Sequence, residues 1–579
     1  MSKSRLIHCL CCLALLTTVC NRASATSDVQ LTVQNAGNGV GTVKSSPAGI
    51  DCGETCTASF ASGKSVTLTA TPNASNTFAG WSGACTGTGT CKLTLTAAAS
   101  VTATFDSDAV SLSAINHIVF LAQENRSFDS YFGALREYWA KNGFPDQSLD
   151  GLPQFNPTKG AAPLRGPAPS NPGCNADSPM PGGCVYDTAN PVTSFHMNTV
   201  CNENTSPSWN EAHVDWNYGD QVGRYPAKMN GFVHVAAHDA RTNPGSPFFD
   251  VDGIRAMGYF DGSDLNYYYF MASNFATSDR FFHPAMTRTT PNHEYLIAAT
   301  SGGYAYPNGT NSRDTARLKA TTIYDELQNA GVSWKIYVHA EDSKCSGPAY
   351  SASCLVSLSY IQGFTYASTL EKDYPKNIAP ITQYFTDLAN GTLPQVAIIE
   401  PASDAGLDEH GTDSDSGPPT NIQLGARYVA TLIDELMQSS SWNDSVFILT
   451  YDEAGGLYDH VAPQPTVSPD GIKPVDLQPG DICTKITGPT CNFTFTGYRI
   501  PLIVISPFTK KNYVSHTVAD STAVLKLIET RFNLPALTKR DAAQPDMAEY
   551  FDFTNPPWAK PPTPPTQDTG NPCYLDKLP

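Results

Sequence analysis

Basic side chains are in short supply. The 579 residues hold 36 Lys and Arg against 54 Asp and Glu, a formal charge of −18. Without a cationic surplus to displace counterions, nucleic acid is excluded as a main partner. Electrostatic docking on anionic lipid is excluded on the same ground, while contact with zwitterionic lipid stays open. Long apolar runs are missing too: none approaches the roughly 18 uninterrupted residues of a membrane-spanning helix, so no transmembrane segment is expected. The G-x-S-x-G elbow of serine hydrolases, the H-E-x-x-H of zincins and the glycine loop of P-loop proteins are all absent. Apolar mass is not lacking: 41% hydrophobic and 10% aromatic residues rule out a disordered or collagen-like chain.

Lys3 and Arg5 precede an apolar run from Leu10 to Val19, and Ala23-Ser24-Ala25 has the small-x-small form of a signal-peptidase site. Residues 1–25 are therefore expected to be a signal peptide, and the mature chain secreted, extracellular or periplasmic. Removing that segment takes away three cations and no anion, which moves the formal charge from −18 to −21. It also takes four of the sixteen Cys, leaving twelve, an even number suited to an oxidising compartment. Ten of the twelve stand in close pairs: Cys52/Cys56, Cys85/Cys91, Cys174/Cys184, Cys345/Cys354 and Cys483/Cys491. Cys201 and Cys573 remain, to tie the C-terminal tail onto the body. No CxxC or CxxH spacing occurs among the twelve, which disfavours zinc.

The residues from 26 to about 107 are rich in Thr, Ala, Gly, Ser and Val, and alternate as in Val29-Gln30-Leu31-Thr32-Val33 and Ser65-Val66-Thr67-Leu68-Thr69. That period of two predicts a small antiparallel β-module with a thin core, stapled by local disulfides. From about 112 the pattern changes. Ile118–Leu121, Trp334–Val338, Val396–Ile399, Val446–Leu449 and Ile500–Ile505 are apolar on both faces, as a buried, largely parallel sheet requires. Between them, Leu424, Tyr428, Leu432 and Leu436 mark an amphipathic helix, and Thr321–Ala330 before Gly331 reads as a helix with its glycine stop. The expected divisions are 1–25, the module 26–107, a layered α/β catalytic domain 112–545, and a proline-rich tail 555–579 that is extended and exposed.

Polar residues collect where the apolar runs end. The first run leads into Gln123-Glu124-Asn125-Arg126-Ser127-Phe128-Asp129, the third into Glu400 and then Asp408-Glu409-His410, and the fourth into Asp452-Glu453-Ala454-Gly455-Gly456 and Asp459-His460. In an open α/β sheet the carboxyl ends of the strands form the ligand crevice, so oxygen donors from separate strands would converge on a hard cation. One such cluster is more often a set of caps and solvated acids; three directly behind buried strands point to a site. Met286-Thr287-Arg288-Thr289-Thr290-Pro291-Asn292-His293 supplies hydroxyls that a metal would activate. Asp413-Ser414-Asp415-Ser416-Gly417 lacks the spacing of an EF-hand and reads as a solvated acidic loop.

Together Glu124-Asn125-Arg126-Ser127-Phe128-Asp129, Thr289-x-Pro291-Asn292, Asp408-Glu409-His410 and Tyr451-Asp452-Glu453-x-Gly455-Gly456 resemble, in order, the bacterial phosphoesterase family of phospholipases C and acid phosphatases, within the alkaline-phosphatase-like superfamily. The similarity spans roughly 112–545, and the 26–107 segment resembles the β-repeat modules of bacterial exported proteins. The resemblance implies an α/β fold, an alkaline-phosphatase-like layered sheet with helices on both faces, plus a small N-terminal all-β module. It implies that Glu124, Asn125, Asp452 and Glu453 bind a divalent metal ion of unspecified identity, that Thr289 is the nucleophile, and that His213 and His410 contact phosphoryl oxygens or shuttle the proton. Asn292, His460 and His516 are assigned to substrate binding, and His283 and His293 to pocket lining. Ala454 and Ser521 replace histidines found in many relatives, which bears on substrate preference rather than on reaction type.

The expected activity is an exported metal-dependent phospholipase C that releases diacylglycerol and a phosphorylated head group, with a broad phosphomonoesterase as the alternative. A surface adhesin with an inactive enzyme-like domain is the reading from another class, and the complete metal and nucleophile set speaks against it. Expected partners are a phospholipid or phosphomonoester, with cell-surface contact through the β-module. Tyr267, Tyr268, Tyr269, Phe270 and Met271 are the expected apolar mouth for acyl chains, against the competing reading of such a stripe as core.

Overall fold

The computed structural model describes residues 28–578 except 38, 53–54, 74–75, 108–111, 176–183, 243–247, 308–317, 319, 341–344, 346–349, 359–366 and 413–418. The signal segment and the acidic loop at 413–417 lie outside the described residues. The chain forms two compact units, one ending at 106 and the other running from 107 with the short stretch 74–76.

In the first unit two four-stranded sheets carry the alternation. Leu31, Val33, Val43, Val66, Leu68, Val101 and Phe105 all face inward, each at most 2% exposed. Trp81 and Phe78 close this core with Phe105, and Cys52–Cys56 and Cys85–Cys91 staple it.

The second unit is built on an eight-stranded sheet. In chain order its strands are β1 (His117–Gln123), β2 (Ala276–Ser278), β3 (Trp334–Val338), β4 (Ile378–Pro380), β5 (Val396–Ile399), β6 (Ser445–Tyr451), β7 (Ile503–Ile505) and β8 (Tyr513–Ser515). Their spatial order is β4-β3-β5-β1-β6-β7-β2-β8. All run parallel except β7, which opposes both β6 and β2. β7 is shorter than the apolar run that predicts it and reversed, because the chain leaves β6 on a long excursion and returns from the same end. β5 and β6 are buried at every position and β1 at all but its first, as two-sided coverage demands.

The helices that bear on the site are α1 (Phe128–Phe132), α2 (Trp209–Trp216), α3 (Asn266–Asn274), α4 (Thr289–Ala298), α5 (Ile323–Ala330) and α6 (Ile422–Gln438). α5 starts on a Thr322–Asp325 capping box and stops at Gly331, whose φ of 70° suits glycine. In α6 the Asn421 side chain accepts the N–H groups of Gln423 and Leu424, and Ile422, Ala426, Val429, Ile433 and Leu436 line the buried face.

All six cysteine pairs read from the sequence are bonded. Cys201–Cys573 ties the tail to the body as expected, but the expectation of an exposed tail is corrected. The tail is extended, yet Gln567 and Leu575 are buried, and the Arg255 guanidinium donates to the Leu575 and Lys577 carbonyls at 2.8 and 2.6 Å. A tail with no helix or strand of its own satisfies its backbone against the body instead.

Candidate active site

β1 and β6 are neighbours in parallel register, with Gln123 opposite Tyr451, so the next residues of each strand emerge side by side. Glu124-Asn125 and Asp452-Glu453 meet there. Asn125 turns the chain with φ of 62° and its N–H donates to Asp452 Oδ1 at 3.0 Å, while the Asp452 N–H donates to the Gln123 carbonyl at 3.0 Å. Gly455 allows this crossing: a Cβ there would stand 2.5 Å from the Asn125 carbonyl oxygen, and its φ is +71°.

All four predicted metal-binding side chains are buried. Glu124 Oε1 lies 2.8 Å from His293 Nε2 and Oε2 lies 3.4 Å from Thr289 Oγ1; Asp452 Oδ2 is 4.0 Å from His293 Nε2. One ligand atom each from Glu124, His293 and Asp452 falls within 4.8 Å of the others. Asp452 Oδ2, Glu453 Oε1 and Asn125 Oδ1 are buried with no hydrogen bond. Burial raises all three carboxyls well above the usual range. Asp408 raises Glu124 further, Glu124 raises Asp452, and Asp452 raises Glu453. Mutually repelling acids with orphaned oxygens and a single imidazole fit a divalent cation, which would satisfy all of them at once.

Thr289 is the first residue of α4, where the helix N-terminus favours negative charge on a hydroxyl or phosphoryl group. Thr287 is fully buried and its hydroxyl donates to the Ala305 carbonyl, so it does not share this position. Asn292 faces its own loop: its Oδ1 accepts the Ala285 N–H at 3.1 Å and its Nδ2 donates to the Thr287 carbonyl at 2.7 Å. Its amide holds the turn that delivers Thr289. His293, assigned from sequence to pocket lining, instead touches Glu124 directly.

The Asp408-Glu409-His410 segment docks on β1 through the Glu124 N–H, which donates to the Asp408 carbonyl at 2.9 Å. His410 is half-buried, with Nδ1 against the Gly411 carbonyl. Glu409 turns inward and accepts the hydroxyls of Tyr268, Tyr131 and Tyr451 at 2.5, 2.7 and 2.9 Å. The Tyr267 hydroxyl donates to Asp434 at 2.8 Å and that of Tyr269 to the Phe260 carbonyl at 3.0 Å, and this brings a correction: Tyr267, Tyr268, Tyr269 and Met271 on α3 are at most 1% exposed and form core, not an acyl-chain mouth. Phenols that must reach a buried carboxylate cannot also line a lipid entrance.

Three predicted histidines stand apart from the acid cluster. His213 is fully buried on α2, its ring nitrogens 2.7 and 3.2 Å from the Trp209 and Thr490 carbonyls, and burial lowers its pKa. Both nitrogens are occupied by backbone, so the arrangement gives it no phosphoryl contact. His460 bridges Asp129 (2.7 Å) and Asp150 (3.2 Å), and despite burial these acids push its pKa up to about 9. The same network is pinned by Arg499, which donates to Asp459 and Asp129 at 2.8 and 2.9 Å. His516 is exposed and faces both Asp279 oxygens at 3.0 Å.

A layered α/β unit with buried acids converging at parallel strand ends places the candidate site in the crevice where open α/β sheets bind ligands. Residues 115–535 match the Phosphoesterase family, and the chain belongs to that family. It is a hydrolase of phosphoester bonds. Residues 29–109 match the divergent InlB B-repeat domain. The chain is 29% identical over 493 residues to Phospholipase C B of Mycobacterium tuberculosis, covering 81% of this chain and 83% of that one. It is 26% identical to a non-hemolytic phospholipase C of Pseudomonas aeruginosa (76% and 58% covered) and 27% identical to non-specific phospholipase C5 of Arabidopsis thaliana (74% and 72%). An alkaline phosphatase superfamily structure from Vibrio parahaemolyticus aligns at 13% identity and a TM-score of 0.28, over 49% of this chain and 64% of that chain. Among the described residues no helix is long and apolar enough to cross a membrane.

Proposed function

We propose that this protein is an exported, metal-dependent phospholipase C that uses Thr289 as a covalent nucleophile. The observation that carries the reading is the buried set of Glu124, Asp452 and Glu453, with orphaned oxygens, beside a threonine hydroxyl at a helix N-terminus. Glu124, Asn125, Asp452 and Glu453, joined by His293, would hold one divalent cation, which when bound supplies positive charge against the phosphoryl oxygens.

Thr289 Oγ1 attacks phosphorus as its proton leaves toward Glu124 Oε2, 3.4 Å away. The new bond is threonine oxygen to phosphorus; the bond that breaks is phosphorus to glycerol oxygen, which leaves protonated as diacylglycerol. His410 enters the step protonated on Nε2 and gives that proton to the departing glycerol oxygen; in the second step the attacking water returns a proton to His410 as Glu124 returns its own to Thr289. Arg288, whose buried Nε has no partner and whose charge lowers the Glu453 pKa, stands one residue before the nucleophile and pairs with the transferring group. Water then cleaves the phosphothreonine and releases the phosphorylated head group.

The names of the relatives support phospholipid as substrate, and the net charge of −18 favours zwitterionic head groups. A broad phosphomonoesterase is the second reading, favoured by the burial of Tyr267–Tyr269 away from any lipid entrance. Cell-surface contact is assigned to the N-terminal unit. Incubating purified protein with phosphatidylcholine, phosphatidylserine and a simple phosphomonoester separates these readings. Diacylglycerol released fastest from phosphatidylcholine is expected. Phosphate from the monoester with no diacylglycerol from any lipid would replace the first reading with the second.

A further inference from the structure

The two turns that carry Glu124-Asn125 and Asp452-Glu453 are closed onto each other twice. Beside the acids, the Asn125 N–H donates to Asp452 and the Asp452 N–H to the Gln123 carbonyl, both at 3.0 Å. Further along, the Ser127 hydroxyl donates to the Tyr458 carbonyl at 2.8 Å, and the Asp129 N–H to Asp459 Oδ2 at 3.3 Å. Asp129 Oδ2 then meets both the backbone N–H and the ring Nδ1 of His460, each at 2.7 Å. Only residues 125–129 and 452–460 lie between the two closures. Asp129 also stands on α1, so it cannot shift without moving the end of the 124–127 turn.

His460 is the group on which the outer closure turns. Its Nε2 reaches Asp150 Oδ1 at 3.2 Å, so one ring bridges two carboxylates. Asp150 is anchored in its turn: its Oδ2 accepts Arg280 at 2.8 Å, and its N–H donates at 2.7 Å to Asp279, which follows β2. Arg499, shortly before β7, donates to Asp459 and Asp129, and its carbonyl accepts the Phe128 N–H at 3.0 Å. Both ring nitrogens of His460 are thus taken by carboxylates, which leaves none for the substrate contact expected from sequence. Asp129, Asp459 and His460 do offer ligand atoms within 4.8 Å of one another. The Arg499 guanidinium already lies among them, 3.2 Å from His460 Nδ1, and would repel a metal ion there. The cluster is a clasp made of the chain's own charges.

We infer that His460 is a positioning residue of the divalent-ion site: by bridging Asp129 and Asp150 it fixes the spacing of the turns that present Glu124 and Asn125 on one side and Asp452 and Glu453 on the other. Groups that hold ligand-bearing segments from behind set the affinity of a metal site without touching the ion. Glu124 and Asp452 are buried together, and turns free to part would relieve their repulsion at the expense of ion binding. The inference rests on the metal-dependent reading and not on the choice of substrate.

The test titrates the chelator-stripped full chain with Mn2+ and, in parallel, with Ca2+, by calorimetry. His460→Gln is expected to weaken binding about tenfold to a hundredfold, the usual cost of losing a group behind a metal ligand. His117→Gln is the control: it removes a half-buried imidazole from Asp444 and the Pro394 carbonyl at the opposite end of β1, and should leave affinity unchanged. On a water-soluble phosphoester, His460→Gln should need correspondingly more ion for half its activity, yet reach a kcat within about threefold of the unaltered enzyme at saturation. If His460→Gln does not fold, the decision passes to Asp150→Ala, which removes the outer leg of the bridge and must weaken ion binding with the saturated kcat kept. Unchanged affinity in the folded variant would overturn the inference, as would a kcat that falls at saturating ion while affinity holds. Two ions per unaltered chain and one per His460→Gln chain would overturn it by making His460 a ligand. An unaltered protein that binds neither ion would remove the metal reading and this inference with it. Affinity lost in His460→Gln, with no phospholipid cleaved by either protein, would leave the inference standing and remove the phospholipase reading.

Discussion

Asp452 packs against Glu124 and Glu453 with one carboxylate oxygen unpartnered, so the ion-free protein stores repulsion at this point. Asp452→Asn should raise the melting temperature of chelator-stripped protein slightly, remove the further rise on adding a divalent ion, and cost turnover at least a thousandfold; calorimetry with and without metal checks the first two. Thr289→Ala should lose several orders of magnitude in kcat and Thr289→Ser only part of that, and a phosphorylated residue trapped by acid quench should map to 289. His460 gives a pH signature. Its pKa is raised to about 9 from an ordinary 6.5, so its stabilisation is complete below about pH 6.5 and is lost as pH rises through 9. Asp459, raised to about 6, loses its contribution in a lower window, but Glu529, raised to about 9, titrates alongside His460, so the difference between the unaltered protein and His460→Gln is what isolates the histidine. Across pH 6.5 to 9 the urea-derived stability of the unaltered protein should fall by about 2–3 kcal/mol more than that of His460→Gln. Glu124, Asn125, Asp452 and Glu453 stand out in the sequence because each pair directly follows an apolar run, and the structure brings them together at the ends of β1 and β6. Their assignment as metal ligands came from the family resemblance and stays a proposal. His293 does not stand out, although Thr289 and His293 stand at i and i+4 on α4 and so share a face, which is the signal that could have found it. His213 misled because a histidine in a family segment carries no mark of whether its ring nitrogens meet substrate or backbone.

At the scale of elements, runs apolar on both faces located β1, β3, β5 and β6, and their parallel register follows from that pattern. The reversal of β7 did not show, since direction depends on the excursion before it and not on the strand's own residues. The aromatic stripe on α3 is apolar by composition, but each hydroxyl has a partner distant in sequence or on another element: Tyr267 on Asp434, Tyr268 on Glu409 and Tyr269 on the Phe260 carbonyl. The C-terminal tail was read as extended and exposed, tied down only by Cys201–Cys573, because proline excludes helix and sheet; the further bonds that hold it come from Arg255 and Gln423 elsewhere in the chain. Cys573→Ser opens a loop of sequence separation 372, for which chain entropy gives an upper bound on the order of 6 kcal/mol. A lower melting temperature and faster amide exchange at Tyr574 and Leu575 are expected, with kcat unchanged at 25 °C; exchange mass spectrometry reads both termini of the effect.

On the scale of the whole molecule, the chain forms two compact units with separate hydrophobic cores, and every residue assigned to chemistry lies in the second. A chain beginning at Ser107 should therefore hydrolyse a soluble phosphoester with kcat/KM within twofold of the full protein. The central claim is that buried acids at the ends of β1 and β6 hold a divalent ion on which phosphoester hydrolysis depends. Its most direct test is phosphoester hydrolysis by protein stripped with chelator, with metal content measured by mass spectrometry, followed by stoichiometric return of divalent ions to the unaltered protein and to Asp452→Asn. Activity lost on stripping, restored by about one ion per chain and not restored in Asp452→Asn, is the predicted result; full turnover by protein shown to contain no metal would contradict it.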